Sequence, residues 1–294
     1  MSRTVLAPLF LSITIVAAAQ NASDFTARYG YPDAERFVVR PGITLLASYA
    51  EDRTACEMII EPKHSLVRQR DDKDQSMVTD TVAKIIDELI PKAKRGILLN
   101  HMIENMGAAE GQVAEYQNVT ISQYFVRYLP AHEDEKSATI VRKDRICRSA
   151  VAFQKDIPAI EMTAADLHTR YGDPDMERFV VRSGIALTVT YGADQAACRM
   201  LVEPKGSIIP SDEPAKYMRP ELVTEIIDEI FPEADRGKLL LRFVTKSGCN
   251  DYETINYQNV TVSRFRHKCE LPKPEIEGAA TVTRKNPACG NSGT

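Results

Sequence analysis

One stretch of this chain is written twice. RYGYPDAERFVVRPGI at Arg28–Ile43 returns as RYGDPDMERFVVRSGI at Arg170–Ile185, 142 positions on. Tyr49, Cys56 and Glu61-Pro62 reappear at the same spacing as Tyr191, Cys198 and Glu203-Pro204. The spacing shortens to 141 at IIDELIP (Ile85–Pro91) against IIDEIFP (Ile226–Pro232), and at YQNVTIS (Tyr116–Ser122) against YQNVTVS (Tyr257–Ser263). It is 142 again at ATIVRKDRIC (Ala138–Cys147) against ATVTRKNPAC (Ala280–Cys289). An ordered match along a whole unit constrains the fold strongly, because whatever the first unit forms the second must form too. Two tandem homologous domains are expected, at residues 20–150 and 163–294, with a linker at 151–162. Each is long enough to bury its own core and is expected to fold alone, and the two are expected to pack as a pseudo-twofold pair with a groove at their junction.

Each unit reads as α+β, an antiparallel sheet with one main helix packed on one face. TAADLHTRYG carries a capping Thr163, Asp166 three residues later and a terminating Gly172, which together predict a short opening helix. RFVV, ITLLASY and the run ending at Glu61-Pro62 are strand-like and separated by turn residues, so they predict a three-stranded meander. Val78, Val82, Ile85, Ile86 and Leu89 fall at helical spacing and Pro91 stops the helix. GKLLLRFVT, YQNVTVSRF and ATVTR then read as three further strands of the second unit.

The N-terminus reads as an export signal, residues 1–19. Arg3 precedes the apolar run Val5–Ala19, which ends in three alanines before Gln20, and the polar NASDF follows. Without that segment the mature chain holds no stretch long enough to span a bilayer, which predicts a secreted or periplasmic protein. A net charge of −4 and a pI near 5.8 give no electrostatic footprint for nucleic acid. No Trp is present, so surfaces that need aromatic stacking are disfavoured.

The repeat also tests candidate chemistry, since a site essential to the unit should recur. None of His64, His101, His132, His168 and His267 has a histidine counterpart, which argues against a repeated His relay or His-ligated metal. No nucleophile elbow, HExxH helix, phosphate-binding loop or dinucleotide fingerprint occurs, so no catalytic residue, metal or cofactor is expected. Acids do recur: Asp33/Asp175, Glu35/Glu177, Asp52/Asp194, Glu61/Glu203, Asp87/Asp228 and Glu88/Glu229. The helix acids read as a solvated face and Asp52/Asp194 as turn residues. The most alike segment is polar and charged. Arg28, Tyr29, Asp33 and Arg36, with Arg170, Tyr171, Asp175 and Arg178, are the candidate binding residues, because Arg and Tyr are favoured anchors at binding surfaces. The competing reading is a fold signature, in which Asp33, Glu35 and Arg36 satisfy one another where the chain turns into its first strand.

Six cysteines in an exported chain predict disulfides. Cys56 and Cys147 are shared with Cys198 and Cys289, so Cys56–Cys147 and Cys198–Cys289 are expected, each closing a loop of about ninety residues and contributing on the order of 4–5 kcal/mol by loop entropy. Cys249 and Cys269 occur only in the second unit and are expected to pair. A simple hairpin around Asn250–Glu253 would hold them at opposite ends of a strand, so that bridge needs a longer excursion between Cys249 and Tyr257 or a bend after Phe265. The leading functional expectation is a non-enzymatic exported protein that binds an unknown partner or has a structural role. The alternative is a hydrolase using acidic residues in a cleft of one repeat.

Overall fold

In a computed structural model of the chain, residues 20–63, 77–128, 132–143, 147, 162–205, 218–268, 276–285 and 289 are described. The expected export signal and, Met162 aside, the expected linker lie outside them. The described strands form one mostly antiparallel sheet of fourteen, with a few helices, a mixed α+β fold.

The first half runs α1 (Ala22–Tyr29), β1 (Ala34–Arg40), β2 (Ile43–Tyr49), β3 (Ala55–Pro62), α2 (Thr79–Leu89), α3 (Lys92–Arg95), β4 (Leu98–Met106), β5 (Ala109–Tyr116), β6 (Val119–Tyr128) and β7 (His132–Arg142). The second half follows the same order as α4 (Ala164–Tyr171), β8 (Met176–Arg182), β9 (Ile185–Tyr191), β10 (Ala197–Pro204), α5 (Pro220–Ile230), α6 (Glu233–Arg236), β11 (Leu239–Ser247), β12 (Asn250–Tyr257), β13 (Val260–His267) and β14 (Ile276–Arg284). Four strands follow the main helix in each half where three were expected. β5 (AEGQVAEY) and β12 (NDYETINY) alternate weakly and are rich in acids, so neither carries a strong strand signal. Tyr-Gln-Asn, expected inside a strand, is instead the end of β5 or β12 and the turn into the next strand.

The chain climbs β1-β2-β3, crosses one face through α2 to the far edge at β4, and returns through β5 and β6 to place β7 beside β3. α2 buries Val82, Ile85, Ile86 and Leu89 against that sheet, and α5 buries Val223, Ile226, Ile227 and Ile230. Val78 lies one residue before its helix and is exposed. The disulfides Cys56–Cys147 and Cys198–Cys289 are present, each with Cα atoms 5.3 Å apart. Cys249 is disulfide-bonded as well, and its expected partner Cys269 lies outside the described residues. The extra strand removes the expected geometric obstacle. Asn250 at the start of β12 faces His267 at the end of β13, and the Lys268 amide donates to the Cys249 carbonyl at 2.9 Å.

The recurring Arg-Gly and Gln-Asn pairs have a shared structural cause. Gly96 and Gly237 adopt φ of +78° and +72°, and a Cβ on either would lie 2.8 or 2.9 Å from the Cβ of Gln117 or Gln258. Asn118 and Asn259 donate their Nδ2 to the carbonyls of Lys94 (2.8 Å) and Asp235 (2.9 Å). The buried Arg95 and Arg236 donate to the carbonyls ending the main helices, Ile90 and Phe231, and pair with Asp87 and Asp228. Asp87 and Asp228 are therefore ion-paired anchors for a buried arginine, beyond the solvated face expected of them.

The two opening helices do not sit on their own halves. Phe25 of α1 belongs to the core of Phe179, Val181, Leu187 and Ile226, while Ala164 and Leu167 of α4 belong to the core of Phe37, Leu45 and Ile85. The segments before them are tied the same way: the Ala197 amide donates to the Gln20 carbonyl (2.9 Å), and the Ala55 amide to the Met162 carbonyl (2.7 Å). Local cues such as the Asn21–Asp24 and Thr163–Asp166 capping boxes specify that a helix forms, not which sheet receives it. The packing thus departs from the expectation that each half closes its own core. Phe25→Ala and Leu167→Ala are each expected to cost about 2–5 kcal/mol, the range for truncating a buried large apolar side chain. Each should shift one unfolding transition common to the whole chain. Urea melts followed by probes in both halves check this, and two separated transitions would contradict it.

Candidate functional site

β1 and β8 meet in the middle of the sheet, in an antiparallel ladder of only three partners: Ala34–Arg178, Glu35–Glu177 and Arg36–Met176. The backbone continues the link, with the Asp33 amide donating to the Arg178 carbonyl (2.8 Å) and the Asp175 amide to the Arg36 carbonyl (2.9 Å). On one face, two forks reinforce it. Arg36 donates Nε and Nη2 to the Asp175 carboxylate at 2.8 and 3.2 Å, and Arg178 does the same to Asp33 at 2.9 and 3.0 Å. A bidentate guanidinium–carboxylate pair fixes orientation as well as distance, which a single lysine contact would not. All four side chains are less than a quarter exposed.

The other candidate residues are drawn into the same join. Arg28 of α1 donates to the Glu229 carbonyl at 2.6 Å, and Arg170 of α4 to the Glu88 carbonyl at 2.6 Å. Each guanidinium therefore sits at the C-terminal turn of the other half's main helix, where unpaired carbonyls favour a cation. Tyr29 and Tyr171 pack against the core of the opposite half, with buried hydroxyls that find no partner among the described residues. Burial, then the nearby Glu229, pushes the Tyr29 phenol up to about 12. All eight candidates are thus brought to the junction, and the pairing of Asp33 and Arg36 runs between the halves, not within one turn as expected.

The opposite face of the ladder holds a second cluster. Glu35 and Glu177 stand directly opposite each other, 2% and 4% exposed. Oε1 of Glu35 accepts from Arg53 Nη2 at 3.3 Å and lies 3.2 Å from His168 Nε2, and its Oε2 is buried without a partner among the described residues. Glu177 takes a short hydrogen bond from the Tyr191 hydroxyl. Arg53 also lies over the rings of Tyr49 and Tyr31, 4.5 and 5.1 Å from their centroids. Burial raises the Glu177 carboxyl to about 7, and the charge of Glu35 across the ladder pushes the same way. Burial and the same carboxyls push the Tyr49 and Tyr191 phenols up.

The sequence signalled the recurrence of Glu35/Glu177 and Tyr49/Tyr191 but nothing about their meeting. His168, set aside for lack of a histidine counterpart, is the residue α4 delivers to Glu35. The positions matching Arg53 and His168 are Gln195 and Thr26, so the cations gather on Glu35 alone. A carboxyl with raised proton affinity facing a second carboxyl is chemically apt for acid–base work, yet both are sealed beneath the strands and helices that join there. A shallow hollow beside α1, lined by Gln20, Asp24, Phe25, Ala27 and Arg28, collects neither of them. Among the described residues, no group of three or more His, Cys, Asp or Glu is placed to hold a metal ion. Compared with known proteins, the chain matches no family model, and no curated protein matches it.

Arg36→Ala and Arg178→Ala are each expected to cost roughly 1–3 kcal/mol, because each takes the fork from a partly buried aspartate, leaving Asp33 only Lys205 Nζ at 4.0 Å. Lowered melting temperatures in both variants check this; unchanged ones would free the segment for a role in recognition. The Glu177 carboxyl, with its proton affinity raised in the folded state, gives stability that is complete below about pH 4.5. That stability is lost as the pH rises through about 7. The loss is on the order of 3 kcal/mol at most. Urea midpoints across pH 4.5–8 should fall in wild type and fall less in Glu177→Gln.

Proposed function

We propose that this is an exported, non-enzymatic binding or structural protein built from a duplicated α+β unit. Its two copies lock as a pseudo-twofold pair through β1 and β8 and exchange their opening helices. Three facts are compatible with export: two disulfides close within the halves, Cys249 is oxidised too, and among the described residues no helix is long and apolar enough to cross a membrane. In this reading the Arg/Tyr/Asp segment joins the copies, since its guanidinium groups are engaged in contacts between them.

Binding falls instead to the outer strands, and one observation carries this. β4 and β11, the two ends of the sheet, are exposed along all nine residues each, although their sequences are LLNHMIENM and LLLRFVTKS. Leu98, Leu99, Met102, Ile103 and Met106 on β4 are about half exposed or more, as are Leu239, Leu240 and Leu241 on β11, with Phe243 and Val244 close behind. Soluble proteins rarely leave contiguous apolar surface without a partner, and an open strand edge offers backbone donors and acceptors beside it. The hydrolase reading has one point in its favour, the raised Glu177 opposite a second carboxyl. The burial of both acids weighs against it.

Secreted material should begin at Gln20, as N-terminal sequencing would show. A photo-crosslinking residue at Ile103 or Val244 should capture a partner in the expressing cells' medium or envelope. The same group at Tyr31, which is exposed but far from either edge strand in the sheet order, should not. Equal capture from all three positions would sink the edge reading.

A further inference from the structure

The partner on these edges follows from strand direction, length, charge and face together. β4 and β11 are the first and last of fourteen strands that alternate in direction throughout, so they run opposite ways. A second copy placed beyond β4 in the same orientation therefore presents its β11 antiparallel to it, which is the pairing the rest of the sheet uses. Both strands are nine residues long. β4 carries one acid, Glu104, and no Lys or Arg, whereas β11 carries Arg242 and Lys246 and no acid. Fully overlapped, a β11–β11 pair sets its two Arg242 side chains diagonally on one face, whereas a β4–β11 pair lays a strand with one acid beside a strand with two bases. Arg242 already bonds Glu253 through Nε at 2.7 Å, yet its side chain is 60% exposed.

The faces agree as well. Met102 follows the ladder through Val113, Ser122 and Thr139 to Ile59, and Phe243 follows it through Thr254, Ser263 and Thr281 to Leu201. Both lie on the sheet face away from α2 and α5, since the intervening partners alternate with the core residues Met58, Ile60, Met200 and Val202. In the register that overlaps the two strands completely, Met102 sits opposite Phe243, the central residue of each. On the other face Ile103 sits opposite Arg242 and Val244 opposite His101, with Ile103 and Val244 diagonal to each other across the new ladder.

We infer that copies of this chain join head to tail, β4 of one to β11 of the next, continuing a single sheet through successive molecules. The inference rests on the reading of the outer strands as the binding surface and names their occupant. Such a contact is heterologous, so it yields rings or filaments instead of closed dimers.

The test uses the mature chain with single substitutions Met102→Cys and Phe243→Cys. Each substitution lies on an exposed strand at the sheet's end, so both variants should melt with wild type. Wild type should show an average mass that rises with concentration in sedimentation velocity. On mild oxidation, a covalent dimer should form in an equal mixture of the two variants, several-fold more than in either alone, and peptide mapping should place the bond between the two introduced thiols. Ile103→Lys should shift wild-type assembly toward monomer without lowering the melting temperature. Dimers confined to one variant alone would overturn head-to-tail joining in favour of like-with-like pairing. A mass independent of concentration would overturn self-association. If capture from Ile103 or Val244 in the producing cells nonetheless yields a different protein, the edges remain a binding surface. If it yields none, both readings fall.

Discussion

The reciprocal forks of Arg36 with Asp175 and Arg178 with Asp33 hold together a join that the backbone alone makes thinly. Three ladder partners cannot by themselves fix one set of seven strands against another, because a short antiparallel contact tolerates register slips. The forks remove that freedom. A slip by one residue would turn each arginine to the opposite face and leave four partly buried charges unmatched, a penalty of several kcal/mol. Helix exchange adds the apolar share: once α1 and α4 have crossed, separating the halves exposes Phe25, Ala164 and Leu167 along with the surfaces beneath them. The most similar segment of the chain is thus mostly charged because its task is alignment, whereas core positions tolerate changes such as Leu46 against Thr188.

Behind the forks, the Glu35–Glu177 pair shows how one contact can be built from two equivalent residues without paying for two buried charges. Facing carboxylates in a desolvated ladder repel, and the arrangement relieves this unequally. Arg53 and His168 attend Glu35, while Glu177, with only the Tyr191 hydroxyl, holds its proton into the neutral range. The matching positions, Gln195 and Thr26, bring no charge. The two halves are alike in fold and unlike in electrostatics at the one place where likeness would be costly.

What could be read beforehand was local. The capping boxes of α1 and α4, the apolar spacing of α2 and α5, and the Pro-Gly and Ser-Gly turns are each written in a few adjacent residues, and two cysteine pairings followed from which positions recur. What could not be read is decided between distant residues. Nothing in NASDF or TAADL says which half receives the helix, because either sheet offers an apolar face with Phe37 or Phe179 on it. β5 and β12 were missed because their acids, Glu110 and Glu253, are buried by the ladders around them and not by their own pattern. Glu253 is matched by Arg242 and Arg266, from the strands on either side. His168 was discounted by a rule that presumes a site must recur, which fails where a site forms once, between the two units.

The distribution of charge over the outer strands of the two halves, β1 and β4, β8 and β11, bears on function. β1 and β8, dense in Arg and Glu, are the edges that are covered, while β4 and β11, dense in Leu, Ile, Met and Phe, are the edges left open. A monomer that had only to stay soluble would do the reverse, burying the apolar edges and guarding the open ones with lysine, proline or a bulge. Apolar side chains on both faces of an end strand have no share in the internal core, whose outermost buried members are Val119 and Ile121 on β6 and Val260 and Val262 on β13, two strands in from either end. In the proposed reading, another strand laid alongside takes them out of water. The outer edges therefore make physical sense as half of a contact, in a chain whose own two halves already show the other way to complete one.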